Sequence, residues 1–170
     1  MGAIAVLGLG ESLKLFKKED FDFTIGVNDI WRAVKTDAVV CLNAASSFPG
    51  YRLQFIRDCK PKVFYSQIAN WDFMPGFFKI EFFPGMPDNY ISLHERKLFK
   101  SVCSPFVAVQ IAYKYHNATE IHIFGVDFIN HPIIKGELCK TVKKHFAKLK
   151  AELDKNNVPM IVHGNGILSR

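Results

Sequence analysis

The first apolar segment of the chain ends in a glycine-rich turn. Residues 3–8 are apolar or small, and they run into the motif Gly-x-Gly-x-Ser, after which apolar residues return. This pattern predicts a buried parallel strand, a tight turn and the start of a helix. Such a turn directs backbone N–H groups at one point, which suits a phosphate group. We therefore expect phosphate binding at Gly8, Gly10, Glu11 and Ser12; a tight turn without a ligand is the alternative.

Asparagines follow the next two predicted strands. Asn28 comes directly after residues 22–27, and Asn43 comes after residues 37–42. An Asn amide both donates and accepts, so it can bind a base edge, a ribose or a phosphate. Ligands of open parallel sheets bind beyond the carboxyl ends of the strands. Asn28, Asn43 and Asn165 of the terminal loop are therefore expected to bind a nucleotide; the alternative is that asparagine is simply common in turns.

An acid and an imidazole follow the predicted strand at residues 120–125. Asp127 is expected to position a hydroxyl or a metal, and His131 to act as a general base near neutral pH. The alternative places Asp127 in a turn cap and His131 in a surface loop. The remaining histidines show no metal-binding spacing, so no metal site is expected. His122 is expected to be packed, whereas surface positions are expected for His94, His116 and His145.

The elements that must position these residues alternate between strand and helix patterns. This alternation predicts one α/β domain over residues 1–170, Rossmann-like, with a mostly parallel sheet and helices on both faces. Further strands are expected at 62–66, 120–125 and 158–162, and helices near 49–59, 104–116 and 137–155. The helix at 104–116 should begin with Ser104 as its N-cap and Pro105 at the first helical position.

The stretch from about 70 to 95 is rich in aromatic residues, prolines and glycines, and has no regular period apart from a possible strand at 77–83. A long loop in a compact domain is often a lid or a binding loop. A flap packed on the core and a contact between copies of the chain are equally compatible with this composition.

Composition narrows the classes of function. The chain has 170 residues, and its four cysteines are scattered without a CxxC, which argues against zinc or disulfide frameworks. No window is apolar enough for a membrane span and no signal peptide is visible, so we expect a cytoplasmic protein. The net charge is +6, with six lysines against three acids at 137–155. No aromatic residues interleave those lysines, so a solvated face is favoured over a nucleic-acid partner.

Several segments together resemble the nucleotide half of bacterial sialyltransferases of the Campylobacter type, and small glycosyltransferase-like proteins, including phage-encoded ones, share this skeleton. The segments are Gly8-x-Gly10-x-Ser12-Leu13-Lys14, Asn28, residues 39–43, Ser104-Pro105-Phe106 with Gln110, residues 118–128 and residues 163–168. The resemblance implies a CMP-sugar donor, which is a substrate rather than a cofactor. It also implies a nucleotide site that includes the turn Gly8–Ser12, Asn28, Asn43 and Ser104.

These observations predict a glycosyltransferase-like protein that binds a nucleotide or nucleotide-sugar at the strand ends. Transfer would use His131 as base and the turn Gly8–Ser12 to stabilise the departing phosphate. Two alternatives stay open. One is a non-catalytic viral or regulatory protein that sequesters a nucleotide, and the other is a phosphotransferase resembling pterin diphosphokinases.

Overall fold

A seven-stranded sheet, parallel throughout, forms the centre of the computed structural model within its described residues, 2–85, 87, 91–129 and 131–169. The strands are β1 (Ala3–Leu7), β2 (Phe23–Val27), β3 (Ala38–Val40), β4 (Val63–Ser66), β5 (Phe77–Lys79), β6 (Glu120–Phe124) and β7 (Met160–Val162). The α-helices are α1 (Gly50–Asp58), α2 (Ser104–His116) and α3 (Glu137–Lys155). The predicted α/β class with a mostly parallel sheet is confirmed.

The strand order is β5-β4-β3-β2-β1-β6-β7. The chain lays down β1 to β5 in one direction and then returns to place β6 on the other side of β1. This reversal makes a crevice between the carboxyl ends of β1 and β6, where ligands of such sheets bind. The glycine turn after β1 and the segment containing Asp127 after β6 both lie at this point.

Helices cover both faces of the sheet, as predicted. Because side chains alternate along a strand, Ile4 and Val6 of β1 face one core and Ala5 and Leu7 face the other. Helices α2 and α3 bury their apolar side chains in the first core, whereas α1 and several short 3₁₀ turns cover the second. None of the described helices has the length and apolar character that crossing a membrane requires.

Two expectations about α2 meet different outcomes. The helix is buried on most faces, as its apolar sequence predicts. The predicted N-cap was wrong by one position: Cys103 holds the cap position with extended backbone and no capping side-chain hydrogen bond, and Ser104 is the first helical residue. The buried Gln110 amide instead organises the preceding segment, since it accepts from the backbone N–H of Phe99 and donates to its carbonyl, both at 2.8 Å.

Two histidines expected at the surface are buried. His145 of α3 is fully buried, 2.8 Å from the Ser101 hydroxyl through its Nδ1. His116 ends α2 with its Nε2 2.9 Å from the Tyr65 hydroxyl. An imidazole that meets a hydroxyl partner can enter a core, and the pattern of apolar residues does not reveal that partner.

The aromatic stretch at 70–95 contains the short strand β5 but not the longer strand predicted at 77–83. Trp71, Met74 and Ile80 are buried in the cores, so part of the stretch is a packed flap. The Lys114 ammonium donates to three carbonyls of the 92–97 segment and holds that segment against α2. Residues 86 and 88–90 lie outside the described residues, and a lid function for the stretch stays a prediction.

Candidate functional site

The turns that follow β1 and β6 interlock through their backbones. The N–H of Gly8 donates to the Phe124 carbonyl at 2.8 Å, and that of Gly10 to the Gly125 carbonyl at 2.7 Å. A Cβ at Gly8 or Gly10 would collide with the Gly125 carbonyl, and Gly125 itself has a φ of +65°. The contact between the two turns therefore requires these glycines whether or not a ligand approaches them.

A buried carboxylate fills the glycine turn. Asp127 is 4% exposed, and its Oδ2 accepts from the backbone N–H of Ser12 at 2.9 Å. The Ser12 hydroxyl in turn accepts from the Gly125 N–H at 2.8 Å, while the Asp127 carbonyl accepts from the Ile167 N–H. Asp127 thus joins the two turns to the terminal loop at 163–169, and it occupies an N–H that a phosphate could otherwise use.

The helix expected after this turn is only the 3₁₀ turn Glu11–Leu15. So short a segment has a small dipole, so attraction of a phosphate here depends on the few N–H groups that remain free. Phosphate binding by Gly8, Gly10, Glu11 and Ser12 stays a prediction.

A small cleft of about 170 Å³ opens beside the turn. Its lining brings together the predicted residues Glu11, Ser12, Asp127 and Asn165 with Lys14, Leu15, Ile129 and Gly164. Sites for whole small molecules usually measure about 300–1,000 Å³, so this cleft has room for part of a nucleotide. Lys14 is the cation in this lining, and it stands beside the carboxylates of Glu11 and Asp127.

Asn28 presents an unused hydrogen-bond acceptor at the carboxyl end of β2. Its φ is +53°, its N–H donates to the Val40 carbonyl at 2.9 Å, and its side-chain Oδ1 is buried without a partner among the described residues. An unpaired buried polar group costs about 1–3 kcal/mol. A ligand N–H or O–H group that reached this atom would remove that cost.

The residue after Asn28 anchors a cluster of charges that sequence reasoning missed. Asp29 is fully buried and takes a two-point contact from Arg52 of α1, with Nη2–Oδ1 at 2.5 Å and Nε–Oδ2 at 2.9 Å. Arg32 adds a contact at 3.2 Å. Hydrogen bonding to Asp29 raises the pKa of Arg52. A buried acid needs a cationic partner. A search for arginines able to reach Asp29 could therefore have indicated this cluster from the sequence.

Asn28, Asn43 and Ser104 do not line the cleft beside the glycine turn. Asn43 is exposed after β3, and its carbonyl accepts from the Trp71 indole at 2.8 Å. Ser104 is buried in the first turn of α2. Neither residue lines the cleft beside the turn, so a role for both requires a ligand that extends across the strand ends.

His131 has a geometry that differs from the one expected of a general base. Its Nδ1 accepts from the backbone N–H groups of Ile133 and Ile134, at 3.2 and 2.9 Å. Burial lowers the pKa of His131, and the charges of Arg52 and Lys135 lower it further. The neutral ring therefore carries its proton on Nε2 and presents a donor there.

The acid–imidazole couple expected from the sequence is not formed. The Asp127 carboxylate accepts from Ser12, whereas His131 is held by backbone groups of its own loop. Phe128 lies between them in the chain at a φ of +53°, unusual for an aromatic residue, with its ring 5.6 Å from that of His131. Catalysis by His131 stays a prediction, without support from an Asp127 contact.

A larger hollow of about 680 Å³ lies elsewhere, at the C-terminal end of α2, where its lining includes Tyr65, Phe78, Arg96 and Tyr115. None of the residues predicted to bind a nucleotide or catalyse transfer lines it. Size alone would favour this hollow, but the buried carboxylate and the switch in strand order lie at the smaller cleft, and the unpaired acceptor of Asn28 lies at the carboxyl end of the neighbouring strand β2.

Comparison with known proteins shows that this chain shares its fold with solved structures. No family model and no curated protein matches the chain. One similar structure is the sialyltransferase CstII from Campylobacter jejuni in complex with the substrate analogue CMP-3FNeuAc, with 12% identity and a TM-score of 0.57, covering 99% of this chain and 83% of that chain. Another is a point mutant of the alpha-2,3/8-sialyltransferase CstII, with 15% identity, a TM-score of 0.58 and coverage of 99% and 84%. The resemblance seen in the sequence is confirmed for the fold.

Proposed function

We propose that this chain is a glycosyltransferase-like protein that binds a nucleotide or nucleotide-sugar across the carboxyl ends of its strands, with a CMP-sugar favoured. The observation that carries the proposal is the buried, unpaired Oδ1 of Asn28. An acceptor left in this state at a strand end is explained by a ligand that donates to it.

The position of Asn28 supports a ligand shared with the glycine turn. Gly26 of β2 pairs with Leu7 of β1, so Asn28 lies two residues beyond this pair, beside the start of the turn. Neighbouring strands are about 4.8 Å apart. A nucleoside at Asn28 can therefore extend its phosphate toward the cleft that contains Ser12 and Lys14.

The choice of a CMP-sugar rests on two arguments. The amino group of cytosine and the hydroxyls of ribose are both donors that suit an Asn carbonyl oxygen. In addition, one of the structures with the same fold was determined with a CMP-linked analogue. The first argument comes from this chain and applies equally to the amino groups of adenine and guanine, so the choice of cytidine rests on the second argument, the shared fold.

Calorimetry with CMP, CDP, UDP, GDP, ATP and CMP-sialic acid tests the proposal. We expect the cytidine compounds to bind most tightly. Thermal unfolding provides a second measurement, because a ligand at 100 times its dissociation constant adds about 2.7 kcal/mol to the free energy of unfolding. Failure of every compound to bind would overturn the proposal. Tighter binding of a purine nucleotide would overturn the choice of a CMP-sugar but would still support nucleotide binding.

Binding without turnover is a second candidate function. The observation that favours it is the occupied Nδ1 of His131, which removes the expected general base in its neutral form. A protein of this kind would sequester a nucleotide. Incubation with CMP-sialic acid and assay of released CMP separates the two, because a sequestering protein binds the donor and leaves it intact.

A further inference from the structure

Three ionisable side chains form a hydrogen-bonded row beside the β6–β7 pair. Oε1 of Glu120 is 2.9 Å from Nε2 of His122, and Nδ1 of His122 is 2.8 Å from Nε2 of His163. Glu120 and His122 belong to β6, whereas His163 follows the last residue of β7. None of the three was assigned a catalytic role from the sequence, although His163 lies among the polar residues at the strand ends.

With an ionised Glu120 and two neutral imidazoles, the direction of every hydrogen bond in this row is fixed. An ionised Glu120 only accepts, so Nε2 of His122 must donate to it. Nδ1 of neutral His122 then accepts, which makes Nε2 of His163 the donor. Neutral His163 is left with a lone pair on Nδ1, and no described residue hydrogen-bonds that atom. This is the opposite of His131, whose Nδ1 is occupied.

The ring of His163 is held firmly at the carboxyl end of the sheet. Its backbone N–H donates to the Ile123 carbonyl at 2.9 Å, and its ring stacks on Phe124 with 4.0 Å between centroids and 7° between planes. Phe124 directly precedes the interlocked turn of β6. The two residues after His163, Gly164 and Asn165, line the cleft beside the glycine turn.

We propose that Nδ1 of His163 is the general base of sugar transfer by this chain, with His122 and Glu120 as positioning residues behind it. This inference rests on the proposed function, because His163 directly precedes Gly164 and Asn165, which line the cleft beside the glycine turn. It replaces His131 in that role and names an acceptor hydroxyl, or water in donor hydrolysis, as the group that loses a proton.

The step balances as follows. The oxygen of the acceptor hydroxyl forms a bond to the anomeric carbon of the donor sugar while its proton moves to Nδ1 of His163. The bond from the anomeric carbon to the phosphate oxygen breaks, and its electron pair leaves with the nucleoside monophosphate. The imidazolium then donates through Nε2 to His122, which donates to Glu120, so the positive charge is stabilised along the row.

The surroundings of the row agree with a free base at neutral pH. Burial lowers the pKa of His163, and the neighbouring His122 lowers it further. Apolar rings also contact the row: Phe21 lies edge-on to His122, with 5.0 Å between centroids. The Glu120 side chain is 40% exposed, so solvent screens its charge and its main effect is to orient His122.

Substitution of the two candidate bases in parallel tests the proposal. We expect His163→Ala to lower kcat for transfer or donor hydrolysis by about 10²–10⁴-fold with the nucleotide Kd unchanged. His131→Ala should retain most activity, and His94→Ala, at an exposed loop histidine, serves as the matched control. Glu120→Ala should lower kcat less than His163→Ala and alter the acid side of the pH profile, with Glu120→Gln restoring much of the loss because its carbonyl still accepts from His122.

Nitrogen NMR of the imidazoles tests the row without any assay of activity. At pH 7.5 His163 should be protonated at Nε2 and unprotonated at Nδ1. A proton on Nδ1 of neutral His163 overturns the inference, as does full activity of His163→Ala. Tight binding of CMP-sialic acid without turnover would contradict the role of His163 as general base but would agree with the proposed nucleotide-sugar ligand. Failure of all nucleotides to bind would contradict both the proposed function and the role of His163.

Discussion

Asn28 combines two unfavourable features in one residue, a left-handed backbone and a buried acceptor without a partner. Asn28→Gly removes both, because glycine adopts positive φ freely. We expect the free energy of unfolding without ligand to rise by about 1 kcal/mol. We expect nucleotide binding to weaken by about 1–3 kcal/mol, since the ligand loses its acceptor. Urea denaturation and calorimetry with CMP measure the two effects.

Asn157→Gly is the matched control for that substitution. Asn157 also has positive φ, at +57°, but it lies exposed after α3 and far along the chain from the strand-end residues. It has no buried acceptor to remove, so Asn157→Gly should show only the part of the stability change that comes from the backbone, and it should leave nucleotide affinity unchanged. Equal affinity of wild type and Asn28→Gly for CMP would contradict a role of Asn28 in binding.

Three histidines make stability depend on pH in a defined window. Burial is the main cause that lowers the pKa of His116, His131 and His163 below the ordinary value of 6.5. The unfolded chain therefore binds protons first as the pH falls, and stability is full above about 6.5 and declines below it. We expect Tm to fall between pH 7.5 and pH 5.5, a range above most carboxylate titrations. A flat thermal-unfolding profile over that range would contradict the burial of these rings.

At the scale of the elements, the contact between the turns that follow β1 and β6 should contribute strongly to stability. Gly125→Ala places a Cβ against the Gly8 carbonyl at a positive φ. The backbone conformation alone costs about 1–2 kcal/mol, and the collision adds to it, so we expect a loss of more than about 2 kcal/mol. Urea denaturation measures the change.

Gly85→Ala separates the cost of the backbone conformation from the cost of the collision. Gly85 also has a positive φ, at +81°, but a Cβ there meets nothing within 4 Å. This variant should lose only the part of the free energy of unfolding that is due to backbone strain. If both variants lost the same stability, the interlock of the two turns would contribute nothing.

For the whole molecule, the surplus of positive charge should produce only weak attraction to nucleic acid. The lysines of α3 lie on a solvated face, and exposed pairs such as Lys140–Glu137 and Lys150–Asp154 neutralise part of their charge. We expect binding to double-stranded DNA in fluorescence anisotropy at low salt to vanish by about 0.15 M salt. Binding that persists at that salt would indicate a nucleic-acid partner.

The fold was predictable because it rests on local patterns. The period of apolar residues predicted α3 at 137–155 with the bounds it has, and the short apolar runs predicted the parallel strands. The hydrogen bonds of the site were not predictable in the same way. The contacts of Asp29 with Arg52 and of His122 with His163 join residues far apart in sequence, and only the packed sheet brings them together.

The order of strands also bears on how the protein is made. β1 leaves the ribosome first, and β2 to β5 can add to one of its edges in turn, but its other edge waits for β6, where Ile121 lies opposite Ile4. Asp127 and the loop at 163–169, which close the glycine turn, are synthesised later still. The edge of β1 thus stays open and aggregation-prone until β6 has been synthesised. The candidate site is complete only once the loop at 163–169 has been synthesised, so the proposed nucleotide would stabilise the nascent chain only after that point.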